Sequence, residues 1–237
     1  MISVILGGTS NLGKFVSERL ENLGYKTITV SRSSIGLRED SDHFQCDLSD
    51  NIKLVKTLNQ IKRENNSIDN LWCIAGYAQP TRVEDQTSEV RIEHLNRNLT
   101  YVQTSLEILK DNLAKSRNPF VVTLGSQWSY RSPEDCPELT PYANAKKSLM
   151  KYTEEFTLTN PLIRANHYCI PSTNTGTYRE IVKTLRQVIN KELLLSHGKP
   201  ADPQVVAESL VEHAIKSNAT MKTFLIDLIG RVEVLSK

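Results

Sequence analysis

Three side chains in the middle of the chain have the types and spacing for passing a proton to a substrate oxygen. Tyr142 and Lys146 stand four apart in the run TPYANAKK, so in a helix both leave the same face, one turn above the other. A tyrosine hydroxyl is a weak acid, with an unperturbed pKa of about 10, and a neighbouring ammonium favours the phenolate and brings proton transfer into range. Ser126 closes an apolar run upstream and offers a hydroxyl that can hold a substrate oxygen and aim it at that phenol. Taken alone, the pair also describes a tyrosine packed in a core and a lysine in water. The elements that would carry these residues to one place decide between the two.

Residues 2–6, 27–30, 43–46, 70–74, 120–124, 162–170 and 224–228 read as short strands. Periodic apolar stretches alternate with them, which predicts an α/β architecture: a seven-stranded, mostly parallel sheet with helices on both faces. Gly7, Gly8 and the small polar run Thr9, Ser10, Asn11 lead from the first strand into Leu12, Gly13 and an amphipathic helix. A strand, a glycine-rich turn and a helix in that order let backbone N–H groups face a pyrophosphate. After the second strand come Ser31, Arg32, Ser33 and Ser34, and residues 25–38 hold no carboxylate. A dinucleotide fold that selects NAD places an acidic side chain there, whereas an arginine pairs with the 2′-phosphate of NADP, so Arg32 with Ser33 predicts NADPH over NADH.

Ala75-Gly76 follow the fourth strand and Ser126 the fifth. Ligands of open α/β sheets bind outside the carboxyl ends of the strands, so these residues and the glycine-rich turn are expected on one edge. One long helix is predicted over 87–113 from the stripe Ile92, Leu95, Leu99, Val102, Leu106, Leu109, Leu113, with Asn98 beside the stripe, where surface polarity explains it. A helix of that length also suits burial against a second copy in a homodimer or homotetramer. The loop 127–141 carries Trp128, Tyr130, Pro133, Pro137 and Pro141 and is expected to wall a pocket with Tyr77, Gln79 and Gln127. Residues 171–200, with a predicted helix over 178–195 and then His197-Gly198, form a candidate substrate lid, and a further helix is predicted over 203–216. No linker, repeat or low-complexity tract interrupts the chain, so 1–237 is expected to be one domain.

Composition narrows the function classes. A net charge of +2 without a basic stripe interleaved with aromatics does not indicate nucleic acid. Four cysteines, Cys46, Cys73, Cys136 and Cys169, lack metal-ligand or disulfide-framework spacing, so no metal site is expected and a reducing, cytoplasmic compartment fits. The apolar run at 2–6 is too short for a membrane span and runs into glycines rather than a cleavage site, so neither membrane insertion nor a signal peptide is expected.

Together these residues resemble the short-chain dehydrogenase/reductase family, nearly end to end. The family's TGxxxGxG turn is similar to residues 6–13, with Asn11 at the middle glycine; NNAG is similar to Cys73-Ile74-Ala75-Gly76, and YxxxK to Tyr142 and Lys146. Asp47-Leu48 match the pair that typically holds the adenine, Asn98 the helix asparagine and Ser126 the strand-end serine. Ile170-Pro171-Ser172 resemble the PG turn, with Ser172 at its glycine, which places the nicotinamide-contacting threonine at Thr173 or Thr175; Gly198-Lys199-Pro200 is similar to the segment before the last helix. The resemblance implies a doubly wound Rossmann-type fold and an NADPH-dependent reductase of a small ketone or aldehyde, reversible as an alcohol dehydrogenase. It implies that Ser126 holds the carbonyl oxygen, Tyr142 donates the proton, Lys146 lowers the phenol pKa and bonds the nicotinamide ribose, and Asn98 holds a water linking Lys146 to solvent. Two alternatives share these residues: an NAD(P)-dependent epimerase or dehydratase of a nucleotide sugar, and a non-catalytic NADP-binding regulator.

Overall fold

In the computed structural model, residues 1–34, 42–131, 134–193 and 199–235 are described. Among them the strands are β1 (Ile2–Leu6), β2 (Lys26–Ser31), β3 (Asp42–Gln45), β4 (Asn70–Cys73), β5 (Phe120–Ser126), β6 (Arg164–Ile170), β7 (Thr223–Ile226) and β8 (Val232–Val234). They form one sheet in the order β3-β2-β1-β4-β5-β6-β7-β8, parallel from β3 through β7. The order reverses between β1 and β4, where a doubly wound sheet opens its ligand crevice. The expected count of seven is corrected to eight: β8 folds back antiparallel on β7. The turn between them is built on Asp227, whose carboxylate accepts from the N–H groups of Ile229 and Arg231, and on Gly230 at φ +85°. Three residues with half-exposed to exposed side chains carry no apolar run from which such a strand could be read.

Seven helices cover the sheet among the described residues: α1 (Asn11–Asn22), α2 (Asn51–Glu64), α3 (Ser88–Leu95), α4 (Tyr101–Ala114), α5 (Thr140–Thr159), α6 (Gly176–Thr184) and α7 (Pro203–Lys216). Alternate strand residues feed two cores, as a parallel sheet buried on both faces requires. Val4, Leu6, Leu71 and Cys73 join Leu54, Leu58 and Ile61 of α2, Leu106 and Leu109 of α4 and Leu149 of α5. Ile5 and Trp72 join Val16 and Leu20 of α1 and Val206 and Leu210 of α7 on the opposite face. Each such side chain, fully buried, contributes about 2 kcal/mol of apolar transfer, which holds the helices and hence their N-termini in place.

Two predicted helices differ from the observed ones. The stretch expected as one helix over 87–113 is α3 and α4 joined by a π turn, Asn96–Thr100. The extra residue in that turn rotates the buried face, so His94 and Asn98 are buried while Ile92, at the head of the predicted stripe, is 54% exposed. The helix expected over 178–195 begins two residues earlier and runs through a second π turn, Leu185–Ile189, to Asn190, whose left-handed backbone (φ 57°) ends it. Leu195, His197, Gly198 and Pro133 lie outside the described residues.

Candidate active site

The carboxyl ends of β1, β2, β4, β5 and β6 open onto a cleft of about 850 Å³. At its centre the chain passes from β1 into α1 through Gly7, whose φ of +94° suits glycine and whose absent β-carbon would sit 2.8 Å from the Ala75 nitrogen. Ser10 caps α1 by accepting the Gly13 N–H at 3.0 Å. A side chain at Gly13 would collide with the Gly7 carbonyl, so turn and helix close together. Asn11 is the first residue of α1 and lies outside the positive-φ set, so it needs no left-handed backbone. Its Oδ1 accepts the N–H of Gly176 at 3.2 Å, which ties the turn to the start of α6.

Of the residues singled out from the sequence, Gly7, Thr9, Ser10, Asn11, Leu12, Arg32, Asp47, Leu48, Ala75, Gly76, Ser126, Tyr142, Lys146, Pro171, Thr173 and Thr175 line the cleft. Gly13, Ser33 and Asn98 do not line it. Tyr77, Gln79 and Trp128 also line it, whereas the pocket-facing positions expected for Gln127 and Tyr130 are corrected. Gln127 turns its amide to the Ile226 carbonyl and Tyr130 its hydroxyl to the Met150 sulfur.

The proton-transfer residues meet at the β5 end. Ser126 ends β5 with a buried side chain whose Oγ accepts the Trp128 N–H at 3.3 Å. Tyr142, in the first turn of α5, is half-buried; burial pushes its phenol up to about 12, opposed by a hydrogen bond with Ser126. Lys146 is buried one turn on, and desolvation lowers its ammonium to about 8. Its Nζ donates to the Leu124 carbonyl at 2.9 Å and lies 5.9 Å from the centre of the Tyr142 ring. Shared spacing on a helix face therefore does not suffice for Lys146 to pull the phenol down here, because the ammonium is aimed at the Leu124 carbonyl of β5.

Asn98 is fully buried rather than at the surface. Its Oδ1 accepts the Tyr77 N–H at 3.1 Å, and its Nδ2 donates to the carbonyls of Tyr77 at 2.8 Å and His94 at 2.9 Å. Insertion of this amide into the helix ladder accompanies the π turn and clamps the backbone that follows β4. In place of asparagine amides at Cys73-Ile74, the backbone N–H groups of Ile74 and Ala75 both reach the Leu6 carbonyl at 3.0 Å.

Electrostatically the cleft suits an anion. Lys14, Arg32, Arg97, Lys146 and Arg179 face it against only Asp47 and Glu180 among its lining residues. Burial works to raise the Asp47 carboxyl, but hydrogen bonds from the Ser49 N–H (3.0 Å) and hydroxyl (2.7 Å), with Arg32 and Arg97 nearby, outweigh it and hold the pKa below the usual value. A glycine turn open to backbone N–H groups, a surplus of cations and an acidic acceptor at the far end fit a phosphorylated dinucleotide. Lys14, Arg97 and Arg179 were not singled out from the sequence, where each is one cation on a helix; the cleft they share is visible only once α1, the π turn and α6 are placed.

A family model described as short chain dehydrogenase matches residues 1–186. The chain belongs to the short-chain dehydrogenase family. It is accordingly an NAD(P)-dependent oxidoreductase acting on a small molecule. A search of curated proteins gave no match. Among solved structures, the short-chain dehydrogenase is similar to ligand-free aldohexose dehydrogenase of Thermoplasma acidophilum, with TM-score 0.80, 19% identity and coverage of 96% of this chain and 92% of that one. A point variant of actinorhodin polyketide ketoreductase with NADPH gives 0.82, 18%, 96% and 95%. The 3-alpha-hydroxysteroid dehydrogenase of Pseudomonas sp. B-0831, complexed with NADH, gives 0.75, 16%, 96% and 95%. At these identities the likeness is one of fold. No helix among the described residues is long and apolar enough to cross a membrane, and no cluster of three or more potential metal-ligating side chains occurs among them.

Proposed function

We propose that this short-chain dehydrogenase is an NADPH-preferring carbonyl reductase that runs in reverse as an alcohol dehydrogenase. The observation that carries the proposal is the arrival of Ser126, Tyr142 and Lys146 at one end of a cleft whose other end holds Arg32. When bound, the dinucleotide supplies or accepts the hydride. Ser126 holds the carbonyl oxygen by its hydroxyl. Tyr142, whose raised pKa keeps it protonated at neutral pH, gives its proton to that oxygen as negative charge develops there. Lys146 sets positive charge beside the phenolate so formed and returns a proton to it. Asn98 holds the water that reconnects Lys146 to solvent. At the far end Asp47 and Leu48 take the adenosine, Arg32 and Ser33 its 2′-phosphate, the 7–13 turn the pyrophosphate, and Ala75, Gly76, Pro171 and Thr173 the nicotinamide half.

The whole chain then acts as one cofactor-binding unit, with the described part of the segment after β6, residues 171–193, closing over the substrate. Trp128, Ala78, Leu139, Ile181 and Leu185 form an apolar cluster that supports this roof. Replacing Tyr142 by Phe tests the chemistry: turnover on a carbonyl panel falls by about 10²- to 10⁴-fold while NADPH binding is retained. Undiminished turnover in Tyr142→Phe would remove the assignment. Tight NADPH binding by the unmodified protein with no oxidation across the panel would favour a regulator or an internally recycling epimerase instead.

A further inference from the structure

Ala78, Trp128, Tyr142, Ile181 and Leu193 line the cleft and also belong to the apolar cluster of its roof. They come from three segments: the loop after β4, the stretch from β5 into α5, and α6 with the residues that follow it. Hydrogen bonds tie those segments to one another. The Thr81 N–H donates to the Glu138 carbonyl at 3.0 Å, the Gln86 side-chain amide to the Pro137 carbonyl at 2.7 Å, and the Arg82 guanidinium to the Val188 carbonyl at 2.9 Å. None of these bonded residues lines the cleft, so the apolar wall is held in shape by contacts a ligand does not touch. The wall begins at the reacting centre, because the Trp128 N–H donates to Ser126 Oγ at 3.3 Å. Its buried indole is oriented by the Arg131 guanidinium, which lies over the ring 4.5 Å from its centre and outside the cleft lining.

Charge is kept off this wall. Arg82, Arg131, Glu138 and Lys191 sit on the same three segments, and none of them lines the cleft. Lys191 and Glu138 neutralise each other at 2.9 and 3.1 Å. The charged residues that do line the cleft are engaged elsewhere or stand on other elements. Arg97 lies 3.3 Å from Glu93, Arg179 donates to Asn174 in the turn after β6 at 3.3 Å, and Glu180 lies 4.0 Å from Lys183 at the surface. Lys14 belongs to α1, Arg32 follows β2 and Asp47 follows β3. A carboxylate or phosphate pressed against the wall would lose water and gain no counter-charge, and a polyhydroxylated body would lose hydrogen bonds that these side chains cannot replace.

Resting on the reductase reading above, we propose that the substrate is an uncharged carbonyl compound with a compact apolar body, an aromatic or alicyclic ring, and that Trp128 is the specificity-determining residue against which that body packs. Ser126 and Tyr142 take the carbonyl oxygen, and the ring extends from it along Trp128 towards Ile181 and Leu193. An aromatic wall fixed in this way rewards a flat apolar surface and offers an ionic group nothing.

The test compares kcat/KM, followed by NADPH absorbance, for 4-methylbenzaldehyde and 4-carboxybenzaldehyde, which differ in charge but little in shape, with propanal and an aldopentose as small and hydroxylated references. The unmodified protein prefers the methyl compound by about 100-fold, although the carboxylate compound is the more electrophilic, and turns over the aldopentose least. Trp128→Ala lowers kcat/KM about 30-fold for 4-methylbenzaldehyde and about threefold for propanal, so their ratio falls about tenfold, whereas a merely structural role lowers both alike. Trp128→Phe, which keeps an aromatic wall, restores most of the ratio, and thermal melting checks the fold of both variants. The charge comparison needs no variant. No preference between the two benzaldehydes, a preference for the charged one or for the aldopentose, or equal losses on both aldehydes in Trp128→Ala overturns the inference and leaves the reductase reading standing. NADPH oxidation with none of the carbonyls overturns the reductase reading and this inference with it.

Discussion

Lys146 Nζ and Asn98 Oδ1 flank the place where Gly76 lacks a side chain: a β-carbon there would lie 3.4 Å from the ammonium nitrogen and 3.6 Å from the amide oxygen. Those distances are ordinary van der Waals contacts, so a methyl group fits without moving the backbone, but it takes the space in which a water would join the two groups. Gly76→Ala is therefore expected to slow turnover by about an order of magnitude with NADPH affinity nearly unchanged. Steady-state kinetics and a cofactor titration separate the two. A parallel fall in affinity would mean that the methyl disturbs the cofactor rather than the proton path.

Arg32 lines the cleft at the end of β2 and faces the Asp47 carboxylate. A charge-assisted hydrogen bond to phosphate contributes about 1.5–3 kcal/mol, so Arg32→Ala should cost roughly 10- to 100-fold in NADPH affinity and little in NADH affinity. Fluorescence titration reads this through Trp128, which lines the cleft, since Trp72 is fully buried with its indole N–H on Asn70 at 2.6 Å. Equal affinities for the two cofactors in the unmodified protein contradict the role given to Arg32.

His167 is expected to contribute to the loss of stability in acid. It is fully buried on β6, its Nδ1 sits 2.8 Å from Thr123 Oγ1, and desolvation, aided by the Lys146 charge, lowers its pKa to about 3. Between about 3 and the unfolded value near 6.5 the unfolded chain binds the extra proton. Stability is therefore full above pH 6.5 and falls as the pH drops towards 3. Urea midpoints at pH 7 and pH 5 should differ in the unmodified protein and draw together in His167→Gln. An unchanged pH dependence in that variant assigns the acid limb to other groups.

The segment after β6 is tied at both ends. Gly176 donates to Asn11, and Lys191 Nζ lies 2.9 and 3.1 Å from the two oxygens of Glu138. Lys191→Met removes the second tie, and if this segment roofs the substrate, the loss of about 1 kcal/mol should raise KM about fivefold with a smaller effect on kcat. Unchanged KM and unchanged proteolytic sensitivity of residues 185–193 would take the lid role from this segment.

What could be read along the chain is what depends on neighbours in the chain. Gly7 to Gly13, the apolar runs of β1, β2 and β5, and the four-residue step from Tyr142 to Lys146 are local patterns, and each emerges within a residue or two of its expected place. Asn98 shows where this stops. Its amide is claimed by Tyr77, 21 residues away, and that contact accompanies a π turn that the apolar stripe gave no reason to expect.

Residue types and short spacings by themselves determined the succession of the seven parallel strands, the glycine turn, and the supply of a hydroxyl, a phenol and an amine, because backbone propensity and periodicity act over a few residues. Tertiary structure alone decided that Lys146 points at Leu124 rather than along its helix to Tyr142, that Asn98 is buried, and that Arg97 and Asp47 line the same cleft. These depend on which sheet edge and which helix turn meet in space, and on how much water is left between them, and neither quantity is written in the spacing of one segment.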